Sequence, residues 1–347
     1  MIIAVHDPRR EVGRAVSSAL TSTGVARVLV ICHNTPVEGI AGRLGRLVDD
    51  SRVELHSLTD GTRSPAGPFN HGLDLATGRF TAVMGSDDEV AIGAIDGWLG
   101  AAARYSADVV VPRLRYAGGR RVPTPPTRPC RRGRLDGVRD RLAYRTAPLG
   151  LVSRARFGGL RFTPSLTTGE DLRYSVRLWF GGARVAGAAR AAEYLIHDDA
   201  VRVTFARRTL AEEFAAVFGV VSDEWVTSLP MQAREALAVK LWRISVFGAV
   251  HYRAGAWTTE DREVLAELCE ALMRLAPGAV EVLSRADEAL IDAIADPAVA
   301  AEIVDARSRA RRRFVSPAAL LSARPSRAGA REAPVRFAAA TWLASRG

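Results

Sequence analysis

The chain has 347 residues, of which 48% are hydrophobic and 25% charged, and its formal net charge is +10. This length suggests two domains, and this composition excludes a disordered chain. Nearly all of the positive charge is arginine, since Lys240 is the only lysine. This preference for arginine is a feature of the overall composition, so we do not take it as a sign of nucleic-acid binding. Arginine suits phosphates, which it can hold bidentately. We therefore expect sugar nucleotides, anionic polymers or an anionic membrane surface as partners, and no nucleic acid.

Cysteine usage and hydropathy indicate a compartment. Cys32, Cys130 and Cys269 are widely spaced and form no metal-ligand pattern, which predicts a reducing environment. The first residues, MIIAVHDP, are typical of a strand and not of a secretion signal, and no apolar run approaches the ~20 residues of a membrane span. We expect a cytoplasmic protein. The run RSRARRRF at 307–314 leaves open a peripheral contact with the inner face of the membrane, its alternative being a solvated helix end.

Strand-like and helix-like segments alternate in the first part of the chain. Their order predicts an α/β fold with a doubly wound, mostly parallel sheet flanked by helices. A loop rich in arginine, proline and glycine follows at 118–134, either mobile near the site or an inert excursion. The predicted strands are 2–5, 27–32, 53–58, 80–84 and 108–113, and the predicted helices are 10–22, 36–48, 69–76 and 90–105.

Beyond residue 205 the pattern is helical alone. Apolar residues recur at i, i+3, i+4 and i+7 over 208–221, 231–252 and 261–275. Thr258, with Asp261 three positions on, resembles a capping box. The sequence therefore predicts a catalytic domain over 1–204 and an all-helical domain over 205–347.

A pair of adjacent acids follows the strand predicted at 80–84. The segment RFTAVMGSDDEV runs from apolar residues into Ser86, Asp87 and Asp88. Parallel sheets bind ligands at the carboxyl ends of their strands, and a divalent cation carrying phosphates relieves the repulsion of neighbouring carboxylates. The alternative is a solvated acidic turn that caps the next helix.

A second acid pair, Glu170 and Asp171, lies in TTGEDLRYSVRLWFGGARV. Thr167 and Thr168 could cap the helix that these acids open, and helix electrostatics alone would then explain them. If that turn faces the crevice near Asp87, Asp171 could act as a base. One site would then hold an acid pair for a cation and a separate acid for a proton.

These motifs together resemble those of the family 2 glycosyltransferases, over about residues 1–204. The family pattern of asparagine, glycine, small residue and glycine before the metal motif appears as Asn70, Gly72, Ala76 and Gly78. Its second motif appears as Glu170-Asp171, followed by Arg177 and by Gly181-Gly182. The segment EYLIHDDAVRVT resembles its last strand and following loop, which brings His197 and Arg202 to positions of phosphate or metal contact.

The resemblance implies a GT-A fold and an inverting transfer of sugar from a nucleotide-diphosphate donor to a hydroxyl acceptor. The acceptor would be a glycan, a lipid-linked molecule or a small molecule. Asp87 and Asp88, with His197, would hold Mg²⁺ or Mn²⁺, and Asp171, beside Glu170, would take the acceptor's proton. A structural hydrogen-bonding role is the alternative for His197. The resemblance implies nucleotide-sugar contacts at His6, Asp7, Asn34, Asp60, Asn70, Ser86, Asp87, Arg177 and Arg202.

Two positions depart from the family pattern. Gly85 stands where many members carry an acid, and Cys32-His33-Asn34-Thr35 replaces paired acids followed by Gly-Ser. Three alternatives stay open. A nucleotidyltransferase is disfavoured because HDPRREVG contains no lysine, whereas a non-catalytic basic scaffold or a degenerate transferase would bind nucleotide, anionic polymer or membrane without turnover.

Overall fold

The computed structural model describes residues 1–120, 122, 128, 131–188, 192–197 and 208–346. Two compact units make up the protein. The first is the α/β unit, and the second joins Gly137–Tyr144 to the helices that follow residue 207. Among the described residues no helix is both long enough and apolar enough to cross a bilayer.

The α/β unit contains strands of mostly two to six residues. They are β1 (Ile2–Val5), β2 (Val28–His33), β3 (Val53–Leu58), β4 (Phe80–Thr81), β5 (Val83–Gly85), β6 (Glu89–Val90), β7 (Val109–Val111), β8 (Arg113–Tyr116), β9 (Leu151–Ser153), β10 (Val185–Gly187) and β11 (Glu193–Ile196). Its helices are α1 (Val12–Leu20), α2 (Val37–Leu44), α3 (Ala66–Leu75), α4 (Ala94–Tyr105), α5 (Arg154–Phe157) and α6 (Leu172–Phe180).

Four parallel strands form the sheet that carries the candidate site. Their order is β3-β2-β1-β5, and every pairing among them is parallel. All six residues of β2 are buried, as expected for a strand covered on both faces by helices. The carboxyl ends of β3, β2, β1 and β5 therefore lie side by side along one edge.

Residues 80–85 behave as one interrupted strand. β5 pairs in parallel with β1, while β4 pairs antiparallel with β9 in a second group ordered β10-β7-β9-β4. Between them Ala82 accepts a hydrogen bond of 2.8 Å from the amide of Ile2. A small third sheet, β6-β11-β8, follows the acid pair directly.

The predicted α/β fold is confirmed, with shifted boundaries. The strand at 53–58 is right to the residue, whereas the helix predicted from residue 90 begins at Ala94, because Glu89–Val90 pairs antiparallel with Tyr194 and Leu195. The strand predicted at 108–113 is split into β7 and β8, which belong to different sheets. Part of the loop predicted at 118–134 lies outside the described residues.

The second unit is built from helices. They are α7 (Leu210–Val221), α8 (Glu224–Thr227), α9 (Met231–Lys240), a π-helical segment (Leu241–Val246), α10 (Phe247–Arg253), α11 (Thr259–Leu275), α12 (Ala279–Val282), α13 (Arg285–Ala295), α14 (Ala301–Arg311), α15 (Pro317–Leu320) and α16 (Pro334–Arg346). The predicted capping box at Thr258 and Asp261 is present, and it fixes the start of α11. Leu265, Leu268 and Leu272 then form its buried stripe.

Candidate active site

Polar residues follow the carboxyl ends of four neighbouring strands. His6 follows β1, Asn34 follows β2, Asp60 lies two residues beyond β3, and Ser86 and Asp87 follow β5. Since the spatial order is β3-β2-β1-β5, these residues form a row that runs from Asp60 to Asp87. Strand spacing of about 4.8 Å makes such a row roughly 14 Å long.

Asn34 ties together two loops at one end of this row. It has a left-handed backbone, with φ of 53°, which asparagine tolerates better than most residues. Its side-chain oxygen accepts from the amides of Asp60 and Gly61, each at 3.1 Å, and its side-chain nitrogen donates to the carbonyl of Thr62 at 2.8 Å. The loops after β2 and β3 are therefore held as one surface.

Asp60 is fixed and ionised in this surface. The buried ring of His33 lies 2.8 Å from Asp60 Oδ1, which also accepts from the amide and the hydroxyl of Thr62. Burial alone would raise the pKa of Asp60, but the hydrogen bonds from His33 and Thr62 lower it to about 2. The carboxylate is thus a permanent anionic acceptor beside Asn34.

His6 and Asp7 lie in the loop after β1, in the middle of the row. His6 is exposed, and desolvation and the charge of Arg10 lower the pKa of its imidazole. Asp7 accepts from Arg9, whose Nη2 lies 2.7 Å away, and this hydrogen bonding lowers the pKa of Asp7 well below its ordinary value. At neutral pH His6 is therefore a neutral hydrogen-bonding group and Asp7 an anion.

Asp87 is held by two arginines from the first loop and first helix. Arg10 Nη1 donates to Asp87 Oδ2 at 2.6 Å, and Arg14 donates to the backbone carbonyl of Asp87. The Arg10 and Asp87 side chains are only 12% and 16% exposed. This ion pair fastens the loop after β1 to the loop after β5, in a place where screening by water is weak.

Asp88 faces away from these arginines and toward β11. Its Oδ2 accepts from the hydroxyl of Tyr194 at 2.7 Å, and its Oδ1 accepts from the amide of His197 at 3.0 Å. The same Tyr194 hydroxyl accepts from the amide of Gly85 at 3.0 Å. Burial raises the pKa of Asp88, with the Tyr194 and His197 hydrogen bonds acting against that rise. Asp88 thus anchors the end of β11.

A side chain at Gly85, where the family pattern would place an acid, would require Asp88 to move. A Cβ added at Gly85 would lie 2.7 Å from Asp88 Oδ2 and 3.4 Å from Asp87 Oδ1. The Asp88 carboxylate, held by its hydrogen bonds from Tyr194 and His197, occupies that space.

His197 contacts the acidic turn through both its backbone and its ring. Besides the bond from its amide to Asp88, its Nε2 lies 3.6 Å from Glu89 Oε1, and its side chain is 15% exposed. Its role as a metal ligand stays a prediction. Arg202 lies outside the described residues.

The acids of this strand edge differ in their suitability for a divalent cation. No group of three or more His, Cys, Asp or Glu residues suited to a metal occurs in the described part of the chain. Mg²⁺ is commonly bound through one or two carboxylates plus substrate phosphates, not in an all-protein cage. Asp87, an oxygen donor on this strand edge, fits that mode, whereas both oxygens of Asp88 already accept hydrogen bonds.

Asn70 holds the backbone of Phe162, at the start of the loop that leads to Asp171. Its amide nitrogen donates to the carbonyl of Phe162 at 2.9 Å, and its oxygen accepts from the amide of Phe162 at 2.8 Å. Phe162 is buried, stacks on Tyr174 with ring centroids 4.6 Å apart, and lies 5.3 Å from Phe69. Both polar atoms of Asn70 are thus engaged, so a direct nucleotide contact would have to break this pair.

The second acid pair closes the loop that Phe162 begins. The carbonyl of Glu170 accepts from the amide of Thr163 at 2.9 Å, so 163–170 form a closed loop directly before Asp171. α6 begins only at Leu172, with Asp171 at the N-cap position. The expectation that Thr167 and Thr168 cap a helix opened by the acids is therefore wrong: they lie four and three residues before the cap.

Asp171 and Arg177 are both partly exposed in and beside α6. Asp171 accepts through its carbonyl from the amide of Ser175, and Arg177 lies in the last turn of the helix, where its carbonyl accepts from the amide of Gly181. The loop that carries Asp171 is tied to α3 through Asn70. Its convergence with Asp87 on one pocket stays a prediction.

Sequence reasoning missed Arg10, Arg14 and Tyr194. Arg10 lies in the loop after β1 and Arg14 in the first turn of α1, a few residues beyond His6 and Asp7. A search for arginines close after the first strand could have found both. Tyr194 gave no such signal, because its partner Asp88 is 106 residues away in the chain.

A cavity of about 250 Å³ lies at the opposite, amino edge of the sheet. Its lining is mainly apolar, with Val25, Leu29, Ile95 and Leu99 among the contributors, and includes no aspartate or glutamate. It is therefore unsuited to the chemistry that the sequence motifs imply.

Solved structures of one bacterial protein, TarS, have a similar fold. Staphylococcus aureus TarS 1-349 in complex with UDP-GlcNAc superposes with a TM-score of 0.71 at 14% identity, over 90% of both chains. The same segment in complex with UDP gives 0.66 at 14% identity, over 91% of this chain and 93% of that one. A longer TarS chain gives 0.69 at 13% identity, over 89% of this chain and 54% of that one. The fold is thus the α/β fold of GT-A type, followed by helices.

A sequence relative adds a local match. The succinoglycan biosynthesis protein ExoO of Rhizobium meliloti (strain 1021) is 34% identical over 89 residues, which is 26% of this chain and 25% of ExoO. No profile of a known protein family matches the chain.

Proposed function

We propose that this chain is a metal-dependent, inverting glycosyltransferase of the family 2 type, which moves a sugar from a nucleotide-diphosphate donor to an acceptor hydroxyl. The observation that carries the proposal is the row of side chains along β3, β2, β1 and β5. Its length, roughly 14 Å, suits an extended nucleoside diphosphate. TarS, of similar fold, was crystallised with UDP-GlcNAc and with UDP, so a UDP-sugar is the first donor to test.

The two ends of the row suit different parts of the donor. Asn34 and the ionised Asp60 offer acceptors and donors for a base or ribose. Asp87, at the other end, suits a Mg²⁺ or Mn²⁺ ion on the diphosphate, which would offset the charge that grows on the leaving group. Ser86 and His6 would border the phosphates.

Asp171 is our proposed general base. Its carboxylate would take the proton from the acceptor hydroxyl while the oxygen attacks the anomeric carbon from the face opposite the diphosphate, which inverts that carbon. The closed loop at 163–170, held through Phe162 by Asn70, would keep Asp171 in position. Arg177 and Arg202 are proposed phosphate contacts, and Glu170 is a proposed helper of Asp171.

The match to ExoO supports an acceptor in polysaccharide synthesis, and a glycan, a lipid-linked sugar or a small molecule would each supply a hydroxyl. We propose that the reaction takes place in the cytoplasm. The basic helix end at 307–314 is our proposed site of peripheral contact with an anionic membrane.

Turnover of nucleotide sugars tests this proposal. The protein is incubated with a panel of UDP-, GDP-, CDP- and dTDP-sugars plus Mn²⁺, and free nucleotide is measured. We expect slow hydrolysis of one donor, lost in Asp87→Ala. No hydrolysis and no nucleotide binding with any donor would refute the proposal.

The occupied state of Asp88 favours a second candidate, a degenerate transferase that binds nucleotide without turnover. Both Asp88 oxygens accept hydrogen bonds, and Gly85 supplies no replacement acid. This candidate predicts nucleotide binding that Asp87→Ala weakens, together with no hydrolysis of any donor sugar.

A further inference from the structure

The Arg10–Asp87 ion pair stands where a donor-bound cation would have to bind. Arg10 Nη1 lies 2.6 Å from Asp87 Oδ2, and both side chains are largely shielded from water. Arg14 also holds Asp87, because it donates a hydrogen bond to the backbone carbonyl of Asp87. The carboxylate best suited to a cation is therefore already neutralised by the protein.

The neighbouring acid already accepts two hydrogen bonds. Asp88 accepts from the Tyr194 hydroxyl and from the His197 amide, one bond to each oxygen. Gly85, which precedes Ser86 in the same turn, has no side chain and supplies no further carboxylate. A cation that arrives alone would have to compete with Arg10 for Asp87, and it would meet Asp88 oxygens that each already accept a hydrogen bond.

We infer, on the basis of the proposed function, that Arg10 is a built-in counter-ion that blocks Asp87 until the nucleotide diphosphate arrives. The diphosphate supplies oxygen ligands for the cation and, at the same time, a new anionic partner for the displaced guanidinium, which binds phosphate oxygens in pairs. Loss of the ion pair is thereby offset only when nucleotide and cation bind together.

This arrangement couples two binding events. Wild-type protein binds Mn²⁺ weakly by itself and strongly with nucleotide, and by linkage the nucleotide gains affinity from Mn²⁺ to the same extent. Removal of the Arg10 charge should remove its share of that coupling and leave only the share due to the phosphate ligands, because Asp87 is then accessible to Mn²⁺ without nucleotide. Binding of Mn²⁺ itself, rather than turnover, is the direct readout.

The test measures Mn²⁺ affinity by electron paramagnetic resonance, with and without saturating UDP, in wild type and in Arg10→Gln. We expect UDP to raise the Mn²⁺ affinity of the wild type by about tenfold or more, and that of Arg10→Gln by at least about threefold less, because the variant already binds Mn²⁺ better without UDP while the diphosphate supplies metal ligands in both proteins. Equal coupling in the two proteins would overturn the inference.

Arg9→Gln is the matched control. Arg9 carries the same charge one residue away, is 89% exposed, and pairs with Asp7 instead of Asp87. It should behave as wild type, and an equal loss of coupling in this variant would show a general effect of charge and contradict a specific role of Arg10. In the Arg10→Gln/Asp87→Asn double variant, the gain in Mn²⁺ affinity without UDP should disappear.

Two further measurements keep the outcomes separate. Calorimetry without metal tests the proposed donor site with UDP, GDP, CDP and dTDP: if none of them binds, the proposed function and the inference both fail, whereas binding of one of them with unchanged Mn²⁺ coupling in Arg10→Gln refutes the inference alone. Urea unfolding confirms that the variants are folded. If Arg10→Gln does not fold, Arg10→Lys replaces it, because lysine keeps the charge but lacks the planar guanidinium group. Arg10→Lys should lose part of the coupling between UDP and Mn²⁺, and full coupling in this variant would contradict the inference.

Discussion

Asn70→Ala removes the two hydrogen bonds that hold Phe162 to α3. Phe162 is only 2% exposed, so its amide and its carbonyl both lose their partners in a place that water does not reach. An unsatisfied buried polar group costs about 1–3 kcal/mol. Partial relaxation of the loop offsets some of this, and we expect the free energy of unfolding to fall by about 2–4 kcal/mol.

The same change should affect catalysis more than donor binding. Phe162 begins the loop whose closure, from Thr163 to Glu170, precedes Asp171. A displacement of about 1 Å in a catalytic group can cost up to ~10²-fold in rate, so we expect kcat to fall by about tenfold or more while the affinity for UDP stays within about twofold.

Urea unfolding and steady-state kinetics check both effects. Asp74→Asn is the control, because Asp74 lies on the same helix, is 62% exposed, and pairs with Arg161 at the surface. This control should cost less than about 1 kcal/mol. The reasoning would be refuted if Asn70→Ala were as stable and as active as Asp74→Asn.

Three further variants test single residues. Asp171→Asn should lower kcat by ~10²-fold or more, with donor affinity unchanged in calorimetry; equal losses in both would exclude a general base. Tyr194→Phe should lower the free energy of unfolding in urea by about 2 kcal/mol, since it removes a buried hydroxyl bonded to Asp88 and Gly85; no change would contradict that bond's importance. Asp60 has a folded-state pKa lowered to about 2 by His33 and Thr62, despite burial, so its stabilisation is present above the ordinary value of 3.8 and is lost as the pH falls through about 2. At neutral pH the free energy of unfolding of the wild type should therefore exceed that of Asp60→Asn by about 1 kcal/mol, and this difference should vanish near pH 2. A difference that stays constant with pH would contradict the stabilising role of the Asp60 carboxylate.

Local patterns predicted much of the fold. The six residues of β3 and the capping box of α11 follow from alternation and from side chains three positions apart, which sequence displays directly. The helix start at Ala94 was missed because Glu89 and Val90 are drawn into a strand by β11, more than a hundred residues later. Long-range pairing overrides local propensity at such places.

The candidate site was predictable in its residues but not in their contacts. Spacing pointed to Asp87 and to Asp60, and both lie at the expected strand ends. Spacing alone gave no sign that Arg10, 77 residues away, pairs with Asp87, or that Asn70 holds the backbone of Phe162, 92 residues away. These partners are set by how the loops meet at one edge of the sheet, which is a property of the folded chain.

The most direct test of the central claim is a crystal structure of the protein with UDP and Mn²⁺, with the metal located by anomalous scattering. We expect a Mn²⁺ peak beside Asp87, the nucleotide lying along the row from Asp60 to Asp87, and the carboxylate of Asp171 across a gap that a sugar ring can fill. A nucleotide bound elsewhere, or Asp171 on the far side of the unit from the metal, would contradict it.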